Sequence, residues 1–517
     1  MPSSSTTPPG TEHAGTEHAD IVIVGAGLSG IDAAATLRRA HPGKTIVVLE
    51  QRDDLGGTWD LFRYPGIRSD SDMFTFAYKW RPWESTQTLA DGPLIKDYLA
   101  ATAQEEGVDK LIRYGHRVRS VAWDSGTDTW TIQAECDGEP VTLTSQYLWS
   151  CTGYYDYEQG FQPEFPGVDD FEGTFLHPQF WPEDLDYAGK RIVIVGSGAT
   201  AVTLVPALAE SGAGHVTMLQ RTPSYILSRP GNDPVGRGLR RMPFRKLLPF
   251  KRLRALSYYE ILRWENIALA VGLYQFAQRA PERTKKVIRK QQVAALTAAR
   301  DGGPGFTQAE AEAYADRHLT PPYDPWDQRL CFVPDGDLWK VLRERRADIA
   351  TDRIRTFTPT GIALESGEHL DADIVVSATG LNIKIFGGID VTVDGVALDP
   401  AETTAYRGAL LSGVPNFAFT IGYINASWTL KADLVSSWFA GLISEMDKRG
   451  ANRFVVARPE VPGSRPLMDM KSGYLLRGAA HMPRQGDSVP FAAKQNYLLD
   501  LKVLGSGSYS DGHLTFA

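Results

Sequence analysis

Two apolar segments, each followed by a glycine-rich turn and a helical pattern, predict an α/β protein with two Rossmann-like dinucleotide-binding domains. They are "ADIVIVGAGLSGIDAAATLRRA" (residues 19–40) and "KRIVIVGSGATAVTLVPALAESG" (190–212). In this arrangement a strand leads into a turn that approaches a pyrophosphate, and the phosphates face the amino end of the next helix. Long aromatic-rich amphipathic runs between about 235 and 315 add a helical insertion to the predicted fold.

The first turn has the pattern GxGxxG, at Gly25, Gly27 and Gly30. The first glycine makes the tight turn, the second admits the pyrophosphate, and the third allows the helix to pack against the strand. The pattern alone is weak, but a second strand, "KTIVVLE" (44–50), ends in Glu50. That position lies about 20 residues past the last glycine, where a carboxylate binds ribose hydroxyls. The first segment therefore predicts a dinucleotide site.

The second turn has the related pattern GxGxxA, at Gly196, Gly198 and Ala201. Arg221 follows Gly196 at the same interval at which Glu50 follows Gly25. A guanidinium there suits a 2′-phosphate, which a carboxylate would repel, so the second site is predicted to bind NADPH rather than NADH. A solvated arginine at a strand end remains the alternative.

Composition narrows the class of protein. A chain of 517 residues is too long for one core, and a net charge of −8 argues against a general nucleic-acid role. Cys136, Cys151 and Cys331 are far apart, which excludes a disulfide framework and a thiolate metal site and suits the reducing cytoplasm. Residues 1–19 have the composition of a disordered tail. No apolar stretch approaches the ~20 residues of a transmembrane helix.

The loop after Glu50, "QRDDLGGTWDLFRYPGIRSDSD" (51–72), is rich in glycine and aromatic residues and predicts FAD in the first site. Two later strands end in Thr152-Gly153 and Thr379-Gly380, turns at which the chain is expected to cross between the two domains. The predicted division is an FAD domain at 20–155 and 375–517, an NADPH domain at 156–234 and 316–374, and the helical insertion at 235–315.

The insertion begins with a strongly basic stretch, which carries eight Lys and Arg between Arg237 and Arg254. A solvated helical surface is the simpler interpretation, and weak contact of 237–254 with anionic lipid is the alternative.

A reduced flavin must pass its electrons to an acceptor. The chain has no redox-active cysteine pair and no cysteine cluster for iron–sulfur, so the predicted acceptor is O2.

Two longer motifs carry a family resemblance. "FEGTFLHPQFWPED" (171–184) fits the fingerprint FxGxxxHxxxWP through Phe171, Gly173, His177, Trp181 and Pro182. "GTWDLFRYPGIRSD" (57–70) fits GxWxxxx[FY]PGxxxD through Gly57, Trp59, Tyr64, Pro65, Gly66 and Asp70. From about residue 20 onward the chain resembles the FAD-dependent Baeyer–Villiger monooxygenases (class B flavoprotein monooxygenases). It is most similar to the actinobacterial ethionamide-activating type, also through "DPWDQRL" and "NASWTLKADL".

The resemblance implies an NADPH-dependent enzyme that uses a flavin peroxide to insert oxygen into ketones, giving esters or lactones, and that can also oxidise sulfides or thioamides. His177 and Trp181 would anchor a linker that shifts with the NADPH domain, without His177 acting as a base. Packing of Phe171 and Trp181 in an interdomain core is the alternative. Small-molecule substrate and O2 are the expected partners.

The resemblance also assigns residues. Arg329 would be the catalytic cation beside the flavin and Asp70 its orienting partner. Gln328 stands where the family often has a lysine for the NADP 2′-phosphate. The FAD residues implied by the motifs are Gly25, Gly27, Ser29, Gly30, Glu50, Gly57, Thr58, Trp59, Asp60, Leu61, Asp70 and Val118. Those for NADPH are Arg68, Ser69, Asp70, Gly196, Ser197, Gly198, Ala199, Thr200, Ala201, Val202, Arg221 and Thr222.

Two other functions stay open at this point. One is an N- or S-oxygenating flavin-containing monooxygenase, a group that usually lacks the Trp-Pro ending of the first fingerprint. The other is a non-enzymatic flavoprotein whose helical insertion serves as an interaction module.

Overall fold

The computed structural model describes residues 16–241, 251–298 and 305–517. Its α-helices, in chain order, are α1 (Leu28–Ala40), α2 (Thr58–Leu61), α3 (Met73–Phe76), α4 (Gly92–Glu105), α5 (Ala199–Glu210), α6 (Pro234–Arg241), α7 (Lys251–Arg279), α8 (Pro281–Thr297), α9 (Gln308–His318), α10 (Asp337–Arg343), α11 (Thr429–Arg449), α12 (Gly473–Gly478) and α13 (Tyr497–Gly505).

The larger sheet contains the first glycine-rich turn. The strand Glu17–Val24 lies inside it, third from one edge and parallel to both neighbours, and buries Ile21, Val22 and Ile23 completely. In spatial order the strands are Val396–Ala397, Asp390–Val393, His116–Asp124, Thr129–Cys136, Glu139–Ser150, Glu17–Val24, Ile46–Leu49 and Ile112–Arg113, with Phe417–Phe419 pairing beside Glu139–Ser150.

The second glycine-rich turn belongs to a smaller, wholly parallel sheet of five strands. Parallel sheets are normally covered on both faces, which explains the continuous apolar runs in these strands. The spatial order is Ala347–Thr351, His215–Gln220, Arg191–Val195, Ile374–Ser377 and Thr174–Leu176. Two separate sheets, one mixed and one wholly parallel, each carry a parallel strand that leads into a glycine-rich turn, and this confirms the predicted α/β fold.

The remaining strands form small sheets around these two. They are the pairs Tyr155–Gly160 with Leu381–Ile383, Ile226–Arg229 with Cys331–Pro334, Ala405–Tyr406 with Leu410–Leu411, Phe454–Val456 with Leu514–Phe516 and Arg465–Pro466 with Arg484–Gln485, and the triplet Ile354–Thr358, Gly361–Leu364 and His369–Asp371.

The chain crosses between the two sheets at the two Thr-Gly turns. Glu139–Ser150 ends in the larger sheet before Thr152-Gly153, and Ile374–Ser377 ends in the smaller sheet before Thr379-Gly380. The segments that follow these turns pair antiparallel with each other, as Tyr155–Gly160 and Leu381–Ile383. The two crossings therefore form one narrow ribbon.

Two boundaries differ from those predicted. The strand Glu17–Val24 includes residues 17–19, which the sequence assigned to the tail, because Glu17 pairs with Arg113 and its backbone joins the ladder beside Leu143. Residues 375–377, assigned to the FAD domain, lie in the five-stranded sheet because they continue the ladder with Arg191–Val195.

In the part that the structure describes, the predicted insertion contains α7, α8 and most of α6 and α9. Most of the basic stretch 237–254 lies outside the described residues or has undescribed side chains. Within the described ranges, no helix is long and apolar enough to cross a membrane.

Candidate active site

A cavity of ≈ 310 Å³ is lined by residues from both glycine-rich segments. Its volume is that of a small-molecule site. The structure brings these predicted site residues to the cavity wall: Gly25, Gly27, Ser29, Glu50, Gly57, Thr58, Trp59, Arg68, Ser69, Asp70, Val118, Ala199, Thr200 and Arg329. The predicted residues that lie off this wall are Gly30, Asp60, Leu61, Gly196, Ser197, Gly198, Ala201, Val202, Arg221 and Thr222.

The first glycine of each turn is required by its surroundings. Gly25 has φ 103° and Gly196 has φ 138°, values that side chains rarely adopt. A Cβ at Gly25 would come within 2.7 Å of the Cys151 carbonyl oxygen, and one at Gly196 within 2.3 Å of the Ala378 carbonyl oxygen. Each turn thus presses against the strand end that precedes a Thr-Gly crossing.

The helices that follow the turns suit phosphate groups. Gly27 caps α1 and Gly198 caps α5, and neither first turn holds an acidic residue. Beside Gly198, no atom lies within 4 Å of where a Cβ would stand. Free backbone N–H groups at a helix amino end attract anions. Both turns therefore fit the pyrophosphate of a dinucleotide.

Glu50 is held ready to bind hydroxyl groups. It is buried, and its carboxylate accepts hydrogen bonds from the backbone N–H of Ala26 at 2.7 Å and of Arg52 at 3.0 Å. Burial raises the pKa of Glu50. Each carboxylate oxygen keeps further acceptor capacity toward the cavity, which fits the ribose hydroxyls of FAD.

Asp60 has a different environment from that of Glu50. Its buried carboxylate pairs with Arg52, whose Nε donates at 2.7 Å, and with Lys96, whose Nζ donates at 2.7 Å. Burial opposes the ionised form, but these two cations lower the pKa of Asp60. The Asp60 side chain therefore stabilises the loop after Glu50 through these two ion pairs, and it does not line the cavity.

Arg329 and Asp70 form a two-point ion pair at the cavity wall. Arg329 Nε donates to Asp70 Oδ2 at 2.8 Å, and Nη2 donates to Oδ1. The Asp70 carboxylate raises the pKa of Arg329, so the guanidinium stays charged. Because both N–H groups are fixed by one carboxylate, the remaining face of the cation is oriented rather than free to rotate.

Arg68 presents unused donors at the same wall. Its Nη1 donates to Asp337, but the buried Nε and Nη2 have no hydrogen-bond partner in the described residues. Burying a donor without a partner costs about 1–3 kcal/mol. An anionic oxygen of a bound cofactor would satisfy both atoms, which fits the predicted part of Arg68 in binding NADPH.

The predicted 2′-phosphate site is on the surface. Arg221 is exposed at the end of the strand His215–Gln220, and none of the described side chains pairs with it. Nearby, Ser197 Oγ donates to the Thr222 carbonyl oxygen at 3.2 Å and lies 2.8 Å from Ser224 Oγ. Gln328 is half-buried, next to Arg329 in the chain. The arrangement leaves the guanidinium available to a phosphate.

Several cavity residues were not predicted from the sequence. Tyr154 and Tyr155 are joined by a 2.9 Å hydrogen bond between their hydroxyls, and burial raises the pKa of both. Trp428 stacks on Tyr154 with ring centroids 5.4 Å apart, and its Nε1 donates to Ser29 Oγ at 2.7 Å. The signal for the two tyrosines is the aromatic run "GYYDY" (153–157) at the first Thr-Gly crossing, whereas Trp428 lies far along the chain in "NASWTLKADL".

The segment with the first fingerprint lies against the ribbon that joins the sheets. His177 Nδ1 accepts from the Gln179 N–H at 3.2 Å, and Nε2 donates to the Gly380 carbonyl oxygen at 3.1 Å. Burial lowers the pKa of His177, so the ring is neutral. Phe171 packs on Phe357 behind the five-stranded sheet, whereas Phe180 is 51% exposed. His177 therefore fastens the second crossing, away from the cavity wall.

Curated proteins similar to this chain are flavin monooxygenases. FAD-containing monooxygenase EthA of Mycolicibacterium smegmatis is 48% identical over 506 residues, 97% of each chain. EthA of Mycobacterium tuberculosis is 46% identical over 97% of this chain and 98% of its own. The probable FAD-binding monooxygenase AlmA of Acinetobacter baylyi is 46% identical over 97% and 96%.

Solved structures share the fold. The chain is similar to oxidized steroid monooxygenase bound to NADP, with a TM-score of 0.72, 23% identity and coverage of 96% of this chain and 99% of that one. It is also similar to cyclohexanone monooxygenase from Rhodococcus sp. Phi1 bound to NADP+, with a TM-score of 0.70, 20% identity and coverage of 97% and 99%.

The protein families that match parts of this chain agree with its fold and with the similar proteins. Residues 82–240 match the Flavin-binding monooxygenase-like family, and residues 23–86 match an NAD(P)-binding Rossmann-like domain. The resemblance drawn from the two fingerprints is thereby confirmed at the level of the family. With nearly half of all positions identical to FAD-containing monooxygenases over almost the whole chain, this protein belongs to the flavin-binding monooxygenase family.

Proposed function

We propose that this protein is an FAD- and NADPH-dependent Baeyer–Villiger monooxygenase, which inserts one oxygen atom of O2 into a ketone to give an ester or lactone. Oxidation of sulfides or thioamides in the same cavity is part of the proposal. The observation that carries it is the Arg329–Asp70 pair, an oriented cation on the wall of a cavity that both glycine-rich segments help to line.

The residues at the two glycine-rich turns indicate which sheet would bind which cofactor. Gly25, Gly27 and Glu50 would bind FAD, since the turn admits a pyrophosphate and the carboxylate suits ribose. Gly198, Arg221 and the unpaired donors of Arg68 would bind NADPH. Bound FAD, reduced by NADPH, would supply the activation of O2. The predicted FAD and NADPH domain boundaries, corrected at 17–19 and 375–377, belong to this proposal.

The contribution of Arg329 is electrostatic. Negative charge develops on the substrate oxygen as a nucleophile attacks a ketone carbonyl, and a fixed cation stabilises that charge without having to reorganise. Asp70 holds the guanidinium in one orientation through two contacts. The guanidinium keeps its proton throughout, because the neighbouring carboxylate raises its pKa.

The aromatic wall would exclude water. Tyr154 is buried and Tyr155 half-buried, and Trp428, which also lines the cavity, stacks on Tyr154. Closing a site to water strengthens each electrostatic contact within it and limits hydrolysis of reactive species. These three residues would position the substrate against Arg329. The three free cysteines, two of them buried, support a cytoplasmic location for this chemistry.

The test is product formation by the flavin-loaded protein with NADPH, O2 and a panel of cyclic, linear and aryl ketones. We expect ester or lactone in near-stoichiometric ratio to NADPH consumed for at least one ketone, with one atom of oxygen-18 incorporated from labelled O2. Turnover of amines or sulfides with no ester from any ketone would instead assign the protein to the N- or S-oxygenating class.

A further inference from the structure

The outward face of α7 is apolar over more than three turns. Residues 266–278 of this helix contain no charged side chain. Leu269, Leu273 and Phe276 within this stretch are 47%, 41% and 45% exposed, and Trp264 one turn earlier is 46% exposed. A helix that is apolar on both faces is normally buried on both. The outer face therefore lacks a covering partner in the part of the protein that the structure describes.

The opposite face of α7 is fixed in place. Buried Arg263 donates to Asp433 Oδ2 at 2.8 Å and to the Ala77 carbonyl oxygen at 2.8 Å. Ile267 packs in a small core with Tyr423, which lines the cavity. The helix cannot roll to bury its outer side chains without breaking a buried ion pair, which is strongly destabilising. The exposed apolar face is thus a stable feature of the fold.

The next helix adds positive charge. A single residue, Ala280, separates α7 from α8. On α8, Arg283, Lys286 and Lys290 are exposed, share one face by their spacing and have no partner among the described residues. Val287, at 62% exposure, lies on the same face. Basic side chains without partners beside apolar ones indicate an occupant that is both anionic and apolar.

The charge of the whole insertion points the same way. Residues 235–315 contain 16 Lys and Arg against six Asp and Glu, in a chain whose net charge is −8. A soluble acidic protein would match this charge but not the uncharged stretch on α7. A second copy docked through the same face would bring two basic helices together. An anionic bilayer satisfies both features, since its headgroups attract the cations and its hydrocarbon accepts the apolar side chains.

We propose that the exposed faces of α7 and α8 form a docking surface for an anionic lipid bilayer, on which the protein lies without crossing it. Trp264 suits the headgroup level, where amphipathic rings concentrate. The surface is separated from the cavity by the thickness of α7, whose inner face contacts the cavity-lining Tyr423. The inference does not depend on which reaction the cavity supports.

The test is flotation of the full-length, flavin-loaded protein with vesicles of phosphatidylcholine alone or mixed with phosphatidylglycerol. We expect binding to the mixed vesicles that weakens as salt is raised and little binding to phosphatidylcholine alone. The triple variant Arg283→Glu/Lys286→Glu/Lys290→Glu should lower partitioning by about 100-fold, given roughly five-fold for each basic residue at the surface. Leu273→Ser/Phe276→Ser should lower it by about 10-fold or more.

The matched control is Val396→Ser/Val461→Ser, which removes two apolar side chains that are even more exposed, at 70% and 82%, outside α7 and α8, and it should leave partitioning unchanged. Flavin content and thermal midpoint show that each variant is folded. Equal binding to neutral and anionic vesicles, no binding to either, or variants that bind like the parent would each overturn the proposal. So would a lipid-free dimer that Leu273→Ser/Phe276→Ser dissociates, which would assign the face to a second copy.

Discussion

Replacing Arg329 by alanine is expected to uncouple the enzyme without unfolding it. The substitution removes the cation that Asp70 orients at the cavity wall. The residues proposed to hold FAD, Gly25, Gly27 and Glu50, lie on other elements and do not contact this pair. NADPH oxidation should therefore continue, with hydrogen peroxide in place of ester.

The size of the effect follows from the geometry. Loss of one preorganised charge contact to a developing anion typically costs about 100–1000-fold in rate. The cost in folding free energy is smaller, because the Arg329 side chain is 37% exposed and solvent can reach Asp70 once it is gone. Burial of an unsatisfied acceptor costs about 1–3 kcal/mol, and partial exposure places this variant at the lower end. Asp70→Ala should show the same uncoupling, since the guanidinium would lose its orientation.

The assay is the yield of ester and of peroxide per NADPH in folded, flavin-loaded protein. Arg289→Ala is the matched control, because Arg289 makes the same two-point contact with Asp316, with Nε and Nη2 donating at 2.6 and 2.9 Å, on an exposed surface away from the cavity. That variant should keep the parent's yield. Ester formation by Arg329→Ala within about three-fold of the parent would refute a place for Arg329 in the chemistry.

Three further predictions concern other sites. Arg221→Ala should reduce the preference for NADPH over NADH in kcat/KM, because its exposed guanidinium has no other described partner; an unchanged ratio would contradict this. Gln328→Lys should lower the KM for NADPH by about ten-fold, as a charged phosphate contact contributes ~1–2 kcal/mol, and an unchanged KM would count against it. Burial, with the neighbouring Asp433 carboxylate, raises the pKa of Asp32 to about 8. Between about pH 4 and 8 the folded protein therefore keeps a proton that the unfolded chain has lost, and the free energy of unfolding should fall as pH rises. Asp32→Asn should therefore raise Tm by an amount that grows over this range, and a gain independent of pH would show that the buried carboxyl does not titrate.

Local sequence was enough to predict the two dinucleotide-binding folds through the strand and turn that open each of them, but not the antiparallel strands of the larger sheet. The glycine patterns encode backbone conformations that other residues cannot adopt, as the Cβ clashes at Gly25 and Gly196 show. The interval from each turn to Glu50 or Arg221 is set by the length of one helix and one strand, so it too can be counted along the chain. The family resemblance supplied the pairing of Arg329 with Asp70, residues that are 259 positions apart.

The tertiary structure alone decided how these parts meet. No local pattern shows that Tyr154, Tyr155 and Trp428 would line one cavity, because their positions depend on where the chain crosses between sheets. The buried pair of Arg263 with Asp433 joins the insertion to α11, and it selects which face of α7 is buried. Since α7 is apolar on both faces, periodicity could not make that choice. The long-range ion pair, together with the packing of Ile267 on Tyr423, leaves Leu273 and Phe276 facing outward.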